Sequence, residues 1–173
     1  MNYFEFYGIP ESFGMNDAAL KKKFYERSKE YHPDFYANES EEKQQEILEL
    51  STINNKAYKV LSDPYRRMEY ILQEHNLLTG DKYQLAPDFL MEMMEINEAL
   101  MEVDDVEQLN AIKTQITDTE IELNADLAAL TKNYQNSNDT GKQKILENIR
   151  DIYYRQKYLL RIKDTLNTFA ARL

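Results

Sequence analysis

The sequence predicts an all-α protein, and three observations predict it. Glycine and proline number only four each in 173 residues, where average usage gives about 20 of the two together. They stand at Gly8, Pro10, Gly14, Pro33, Pro64, Gly80, Pro87 and Gly141, which leaves helix-length stretches between them. Within those stretches apolar residues recur at spacings of three and four, the period of one helix face.

The elements follow in order. Residues 3–7 form an aromatic segment of two turns at most. Asn16 or Asp17 caps a helix reaching about Tyr31, with Leu20, Phe24 and Tyr31 along its apolar face. Pro33 ends it, because the residue before a proline is pushed out of the helical region. A polar stretch at 37–40 leads to a third helix over about 41–61, with Ile47, Leu50, Asn54, Ala57 and Leu61 facing inward. Asp63 caps the next helix and Pro64 opens it; it carries Tyr70, Ile71 and Leu72 and fades near Glu74. Residues 75–86 read as a linker, with Thr79-Gly80-Asp81 as a turn. Helices are then expected over about 88–103, 106–134 and 142–171, with a polar turn at 135–141. The expected division is a first domain over 1–75, a linker over 76–86 and a three-helix bundle over 87–173.

Composition removes whole classes of function. Cysteine is absent, so disulfides, thiolate metal sites, cysteine nucleophiles and cysteine-held clusters are excluded. Neither His32 nor His75 has a glutamate three residues before it, so the Glu-x-x-His pattern of helical di-iron sites is missing. The formal net charge is -10, from 31 acids against 21 bases, which speaks against general nucleic-acid binding. Mean hydropathy is -0.72 and no 18-residue apolar run occurs, so no membrane partner is expected. The N-terminus has neither the basic flank nor the apolar core of a signal peptide, and a cytoplasmic location is expected. Charge is unevenly spread: residues 88–126 hold 12 acids and the single base Lys113, a net -11 that leaves +1 for the rest. Two differently charged halves predict two domains with different partners. The acids at Asp104, Asp105, Glu107, Asp118, Glu120 and Glu122 lack the spacing and glycine of an EF-hand, so no metal and no cofactor is expected.

The turn between the second and third helices holds Tyr31-His32-Pro33-Asp34. Proline there is a rigid spacer that holds His32 and Asp34 apart on a loop presented by two helices. No serine or cysteine is placed to make His32 part of a triad. The preceding helix carries Lys21, Lys22, Lys23, Arg27 and Lys29, five bases in eleven residues of an acidic chain. At 100° per residue Lys22 and Lys29 lie opposite Phe24, flanked by Lys21 and Tyr25. A charged face of this kind steers one partner.

These residues resemble a J-domain, the module that activates chaperone ATPases of the DnaK class. The resemblance covers residues 1 to about 65. It rests on Tyr3-Phe4, Leu20 and Phe24, His32-Pro33-Asp34, Ile53-Asn54 with Ala57-Tyr58, and Leu61-Ser62-Asp63-Pro64. It implies that the chaperone docks on His32, Pro33, Asp34, Lys21, Lys22, Tyr25 and Lys29. Tyr25 departs from the pattern, since J-domains often carry a base there.

The helix after Pro87 is apolar on two sides. Phe89, Met93, Ile96, Leu100 and Val103, spaced four, three, four and three, form a core stripe. Leu90, Met94 and Met101 point 100° or more away, with Met91 beyond them, and Glu95, Glu98 and Glu102 border that second patch. An apolar patch with an acidic rim has the composition of a partner site, and methionine suits one because it repacks easily. The last helix is tyrosine-rich, and Tyr153, Tyr154 and Tyr158 are expected mostly in the core with hydroxyls reaching the surface.

This half has none of the Gly/Phe-rich or cysteine-rich segments of general J-proteins. With Arg67-Met68-Glu69-Tyr70-Ile71-Leu72 and Asp88-Phe89-Leu90-Met91-Glu92, it resembles the iron–sulfur cluster co-chaperones of the HscB (Jac-type) family. The resemblance implies a J-domain joined to a helical bundle in an L-shaped or bent molecule. It implies two partners, a DnaK/HscA-type chaperone ATPase and an IscU-type cluster scaffold protein. It places the scaffold on Leu90, Met91, Met94, Glu95, Glu98, Glu102 and an aromatic of the last helix, Tyr154 or else Tyr153. The protein itself is expected to be no enzyme, since no nucleophile, phosphate loop or paired acid and base appears. The alternative left open is a J-domain co-chaperone whose acidic bundle binds another client.

Overall fold

The structure is a computed structural model that describes residues 1–79 and 82–173. It divides into two compact units, Met1–His75 and Asn76–Leu173. Of the turn expected at Thr79-Gly80-Asp81, Gly80 and Asp81 lie outside the described residues.

The first unit holds α1 (Tyr3–Tyr7), α2 (Asp17–Glu30), a 3-10 turn (Pro33–Tyr36), α3 (Glu41–Leu61) and α4 (Pro64–Glu74). Each start has a chemical cause. Asn2 and Glu5 form a capping box on α1. The side chains of Asn16, Ser40 and Asp63 accept backbone N–H bonds at the starts of α2, α3 and α4. Gly8 ends α1 at φ 64°, a left-handed position that only glycine takes without strain. Asn76, at φ 57°, turns the chain after α4, a conformation asparagine tolerates. α2 and α3 pack as a hairpin, with α1 and α4 both lying against α3. Phe4, Tyr7, Leu20, Ile47, Ala57, Leu61, Ile71 and Leu72 are all buried there. Phe24 and Tyr58 join α2 to α3 by ring stacking at 4.3 Å, and Tyr3 stacks on Tyr70 at 4.5 Å.

The second unit holds α5 (Pro87–Met101), α6 (Val106–Lys132) and α7 (Asp139–Ala170), each packed against the other two. Its core joins Phe89, Met93, Ile96 and Leu100 of α5 to Leu109, Ile112, Ile116 and Leu123 of α6 and to Ile152, Leu159, Ile162 and Leu166 of α7. Each such side chain contributes about 1.5–3 kcal/mol by leaving water. α7 starts three residues before the expected 142, because Asn138 caps it by accepting the Gly141 N–H at 2.8 Å. The segment read as a linker is tied to this unit. The Thr79 N–H donates to Tyr154 Oη at 2.9 Å, Tyr83 Oη donates to Asp151 at 2.8 Å, and Leu77 is buried. Among the described residues, no helix is long and apolar enough to cross a membrane.

Candidate functional sites

The first site is the turn between α2 and α3. Pro33 is the first residue of the 3-10 turn, and His32 caps it: its Nδ1 accepts the Asp34 N–H at 3.3 Å. The turn is pinned to α2 by Tyr36, whose hydroxyl donates to the Glu30 carbonyl at 2.7 Å. His32, Pro33 and Asp34 are all exposed. So is Phe35, at 74%, with its ring edge-on to His32 at 5.7 Å. These groups are held in place by proline, a cap and a tyrosine anchor.

On α2 the basic residues sit as the helical period requires. Lys21, Lys22, Tyr25 and Lys29 are exposed. The Lys21 ammonium lies 5.9 Å from the centre of the Tyr25 ring, so this tyrosine belongs to the same cationic face. Arg27 instead pairs with Glu30 at 2.6 Å, and that bond raises its pKa.

Two polar side chains are buried inside this unit, Asn54 in the middle of α3 and Arg67 on α4. Asn54 is 1% exposed. Its amide N–H groups donate to the Phe24 carbonyl at 3.2 Å and to Ser28 Oγ at 3.1 Å. Arg67 is likewise buried, donating from Nε to the Phe13 carbonyl at 2.8 Å and from Nη1 to the Leu61 carbonyl at 2.6 Å. In the sequence Asn54 shows only as a polar residue on an apolar face, and Arg67 only as the first residue of the Arg67-Met68-Glu69-Tyr70-Ile71-Leu72 motif.

The second site is on α5. Phe89, Met93, Ile96 and Leu100 are core, while Met91, Met94 and Met101 are 63%, 57% and 71% exposed. Glu95, Glu98 and Glu102 are exposed beside them. Leu90 is half-buried and opens into a groove of about 500 Å³ that also exposes Tyr83, Tyr154, Lys157, Tyr158 and Arg161. Of the two tyrosines left open for this site, Tyr154 lines the groove. Tyr153 is 2% exposed and has its ring edge against Tyr154 at 5.2 Å. Tyr154 is itself mostly buried, and its hydroxyl meets the Thr79 backbone rather than standing free. Tyr83 stacks on it at 4.5 Å. Tyr83, Lys157 and Arg161 were not predicted for this site; they come from segments whose nearness no local pattern reports. Among the described residues, no group of three or more His, Asp or Glu side chains is placed to hold a metal ion.

A two-helix hairpin with an exposed His-Pro-Asp turn and a basic second helix defines a J-domain protein, here followed by a separate three-helix unit. Residues 2–70 match the family model of the DnaJ domain, and residues 85–167 match that of the HSCB C-terminal oligomerisation domain. The chain belongs to the HscB co-chaperone family. It is 36% identical over 123 residues to a co-chaperone protein HscB homolog of Vibrio cholerae, covering 68% of this chain and 72% of that protein. With the homolog of Aliivibrio salmonicida it shares 32% identity over 141 residues, 73% of this chain and 82% of the relative. The match to the Vibrio parahaemolyticus homolog is 38% identical over 107 residues, 61% of this chain, and spans 63% of that relative's length. The structure of the chaperone HscB from Vibrio cholerae superposes with a TM-score of 0.69 at 29% identity, covering 100% of this chain and 99% of that one. The crystal structure of human co-chaperone protein HscB shares the fold, with a TM-score of 0.73 at 24% identity over 100% of this chain and 84% of that one.

Proposed function

We propose that this protein is a co-chaperone with two docking surfaces. The J-domain turn, His32-Pro33-Asp34, and the basic face of Lys21, Lys22, Tyr25 and Lys29 engage a DnaK/HscA-type chaperone and stimulate its ATP hydrolysis. The α5 face of Leu90, Met91, Met94, Glu95, Glu98 and Glu102, with Tyr154, holds an IscU-type iron–sulfur cluster scaffold protein. Carrying both in one chain turns the second encounter into an intramolecular one and raises the scaffold's effective concentration at the chaperone. ATP hydrolysis then traps the scaffold and favours cluster transfer. The co-chaperone hydrolyses nothing and holds no cluster, and it acts in the cytoplasm.

The observation that carries this reading is the pair of neighbours Met93 and Met94, one fully buried and the other 57% exposed with glutamates around it. An exposed apolar strip beside a complete core is surface kept for a partner. Membership of the HscB family supports the choice of partner. The test is steady-state ATP hydrolysis by the cognate chaperone with its cluster scaffold present, comparing wild type, His32→Gln and Met94→Ala/Glu95→Ala. The expected result is loss of stimulation in the first variant and a higher scaffold requirement in the second. Wild-type stimulation with no effect of the α5 variant would leave the J-domain role and assign the bundle to another client. No stimulation by wild type would reject the whole reading.

A further inference from the structure

The groove at the start of α5 has a charge pattern that the docking face alone does not explain. Tyr83 and Tyr154 stack along it, and their hydroxyls are engaged by Asp151 and by the Thr79 N–H, so these rings offer mainly apolar surface. Lys157 and Arg161 border it. Two neighbouring cations of α7 are paired, Arg155 with Asp151 at 2.6 Å and Lys163 with Glu120 at 2.6 Å, while Arg150 is turned inward over the Tyr83 ring with its Nε buried. Lys157 and Arg161 have no ion pair among the described residues. They stand four apart on one helix, a spacing at which like charges repel. A repelling pair of free cations beside an apolar groove is complementary to a carboxylate carried next to an apolar side chain.

The rest of the face has the opposite sign. Leu90 opens the groove, Met91 and Met94 follow, and Glu95, Glu98 and Glu102 come last along α5. At 1.5 Å per residue, Leu90 to Glu98 spans about 12 Å. The face therefore runs from cationic through apolar to anionic.

We infer that the groove is a subsite for an acidic residue of the cluster scaffold, flanked by an apolar one, with Lys157 and Arg161 as its charge partners. This rests on the scaffold reading above and deepens it. A scaffold segment must then place its acid at the groove and its bases over Glu95, Glu98 and Glu102, so the two ends of the face fix which way round it docks.

The sign of one measurement separates this from bulk electrostatics. The chain carries a net charge of -10. If the scaffold were held only by attraction to that charge, removing cations would tighten binding. Calorimetric titration of the purified scaffold protein into wild type, Lys157→Gln/Arg161→Gln and Lys113→Gln tests it, with thermal unfolding as the folding control. The double variant is expected to bind about tenfold more weakly at low salt, with the difference shrinking as salt rises. Lys113→Gln, on the exposed side of α6, is expected to bind as well as wild type or better. Unchanged or tighter binding by the double variant, or equal weakening by Lys113→Gln, would overturn the subsite and leave the scaffold reading intact. Failure of wild type to bind would remove the scaffold reading and the subsite with it.

Discussion

The Tyr7 hydroxyl donates to the side-chain carbonyl of Asn54 at 2.7 Å, with the Asn54 backbone carbonyl at 3.1 Å, joining α1 to the centre of α3. Both residues are 1% exposed. Asn54 also donates into α2 through Phe24 and Ser28, so one amide connects three helices of the J-domain. Satisfied buried networks of this kind fix one arrangement, and breaking them strands polar groups. Asn54→Leu is expected to cost about 2–4 kcal/mol and Tyr7→Phe about 1 kcal/mol. A double-mutant cycle by urea unfolding should give a coupling of about 0.5–3 kcal/mol; strict additivity would show the bond to be energetically idle.

The same tyrosine predicts a pH dependence. Burial pushes the Tyr7 phenol well above its ordinary 10.0, and the nearby Tyr58 adds to the shift. Desolvation shifts Tyr31, Tyr70 and Tyr83 in the same direction. A raised folded-state pKa means the unfolded chain gives up its protons first. The contribution is fully present below about pH 10 and is lost as pH rises above it. Stability of wild type should therefore fall through the alkaline range, and Tyr7→Phe should flatten part of that fall. A wild-type stability independent of pH between about 9 and 11 would contradict it.

Arg67 predicts a different sensitivity. Its hydrogen bonds run to two backbone carbonyls, those of Phe13 and Leu61, and burial lowers its pKa against the pull of Asp17 and Asp63. Leu61 ends α3, so one of these bonds occupies a carbonyl that the helix itself leaves open. Arg67→Met keeps the bulk of the stem but strands both carbonyls, and should cost about 2–4 kcal/mol. Arg67→Lys should recover little, because one ammonium cannot reproduce a fork of donors. Full recovery by lysine in thermal unfolding would show that charge alone matters there.

The boundary between what the chain reveals and what only the fold reveals follows the range of each interaction. α3 could be read to its ends, because Ser40 caps one end and Asp63-Pro64 closes the other. The burial of Met93 against the exposure of Met91 and Met94 follows from the helical period alone. The start of α7 was misplaced because Gly141, read as a turn, lies inside the first turn that Asn138 caps. The groove was out of reach for another reason. Tyr83 and Asp151 are 68 positions apart, and their bond depends on how the segment before α5 lies along α7. Asn54 showed its inward position by spacing, but its partner Tyr7 is 47 residues away. Local periodicity reports a face and not what meets it.

The His-Pro-Asp turn should separate activity from folding. His32 is exposed and caps only the Asp34 N–H, so His32→Gln should leave unfolding within about 0.5 kcal/mol of wild type. Chaperone stimulation should be lost nonetheless. Tyr36→Phe removes the hydroxyl that ties the turn to Glu30 at 2.7 Å. It should lower stimulation severalfold by loosening the turn while His32, Pro33 and Asp34 remain. Normal stimulation by Tyr36→Phe would mean that the proline alone positions the turn.

Met93 and Met94 offer the sharpest separation of stability from binding, because adjacent residues of one type have opposite environments. Met93 is fully buried among Phe89, Ile96 and Leu100, whereas Met94 is 57% exposed. Met93→Ala leaves a cavity and should cost about 2–5 kcal/mol. Its scaffold affinity, measured well below its melting temperature, should change little. Met94→Ala should alter stability by no more than about 0.5 kcal/mol. Its scaffold affinity should fall about tenfold, since a truncated central anchor costs more than 1 kcal/mol at a docking face. Thermal unfolding and calorimetric titration on the same two preparations decide the matter. Equal affinity losses in both variants would mean that scaffold binding responds to the stability of the bundle rather than to the exposed face of α5.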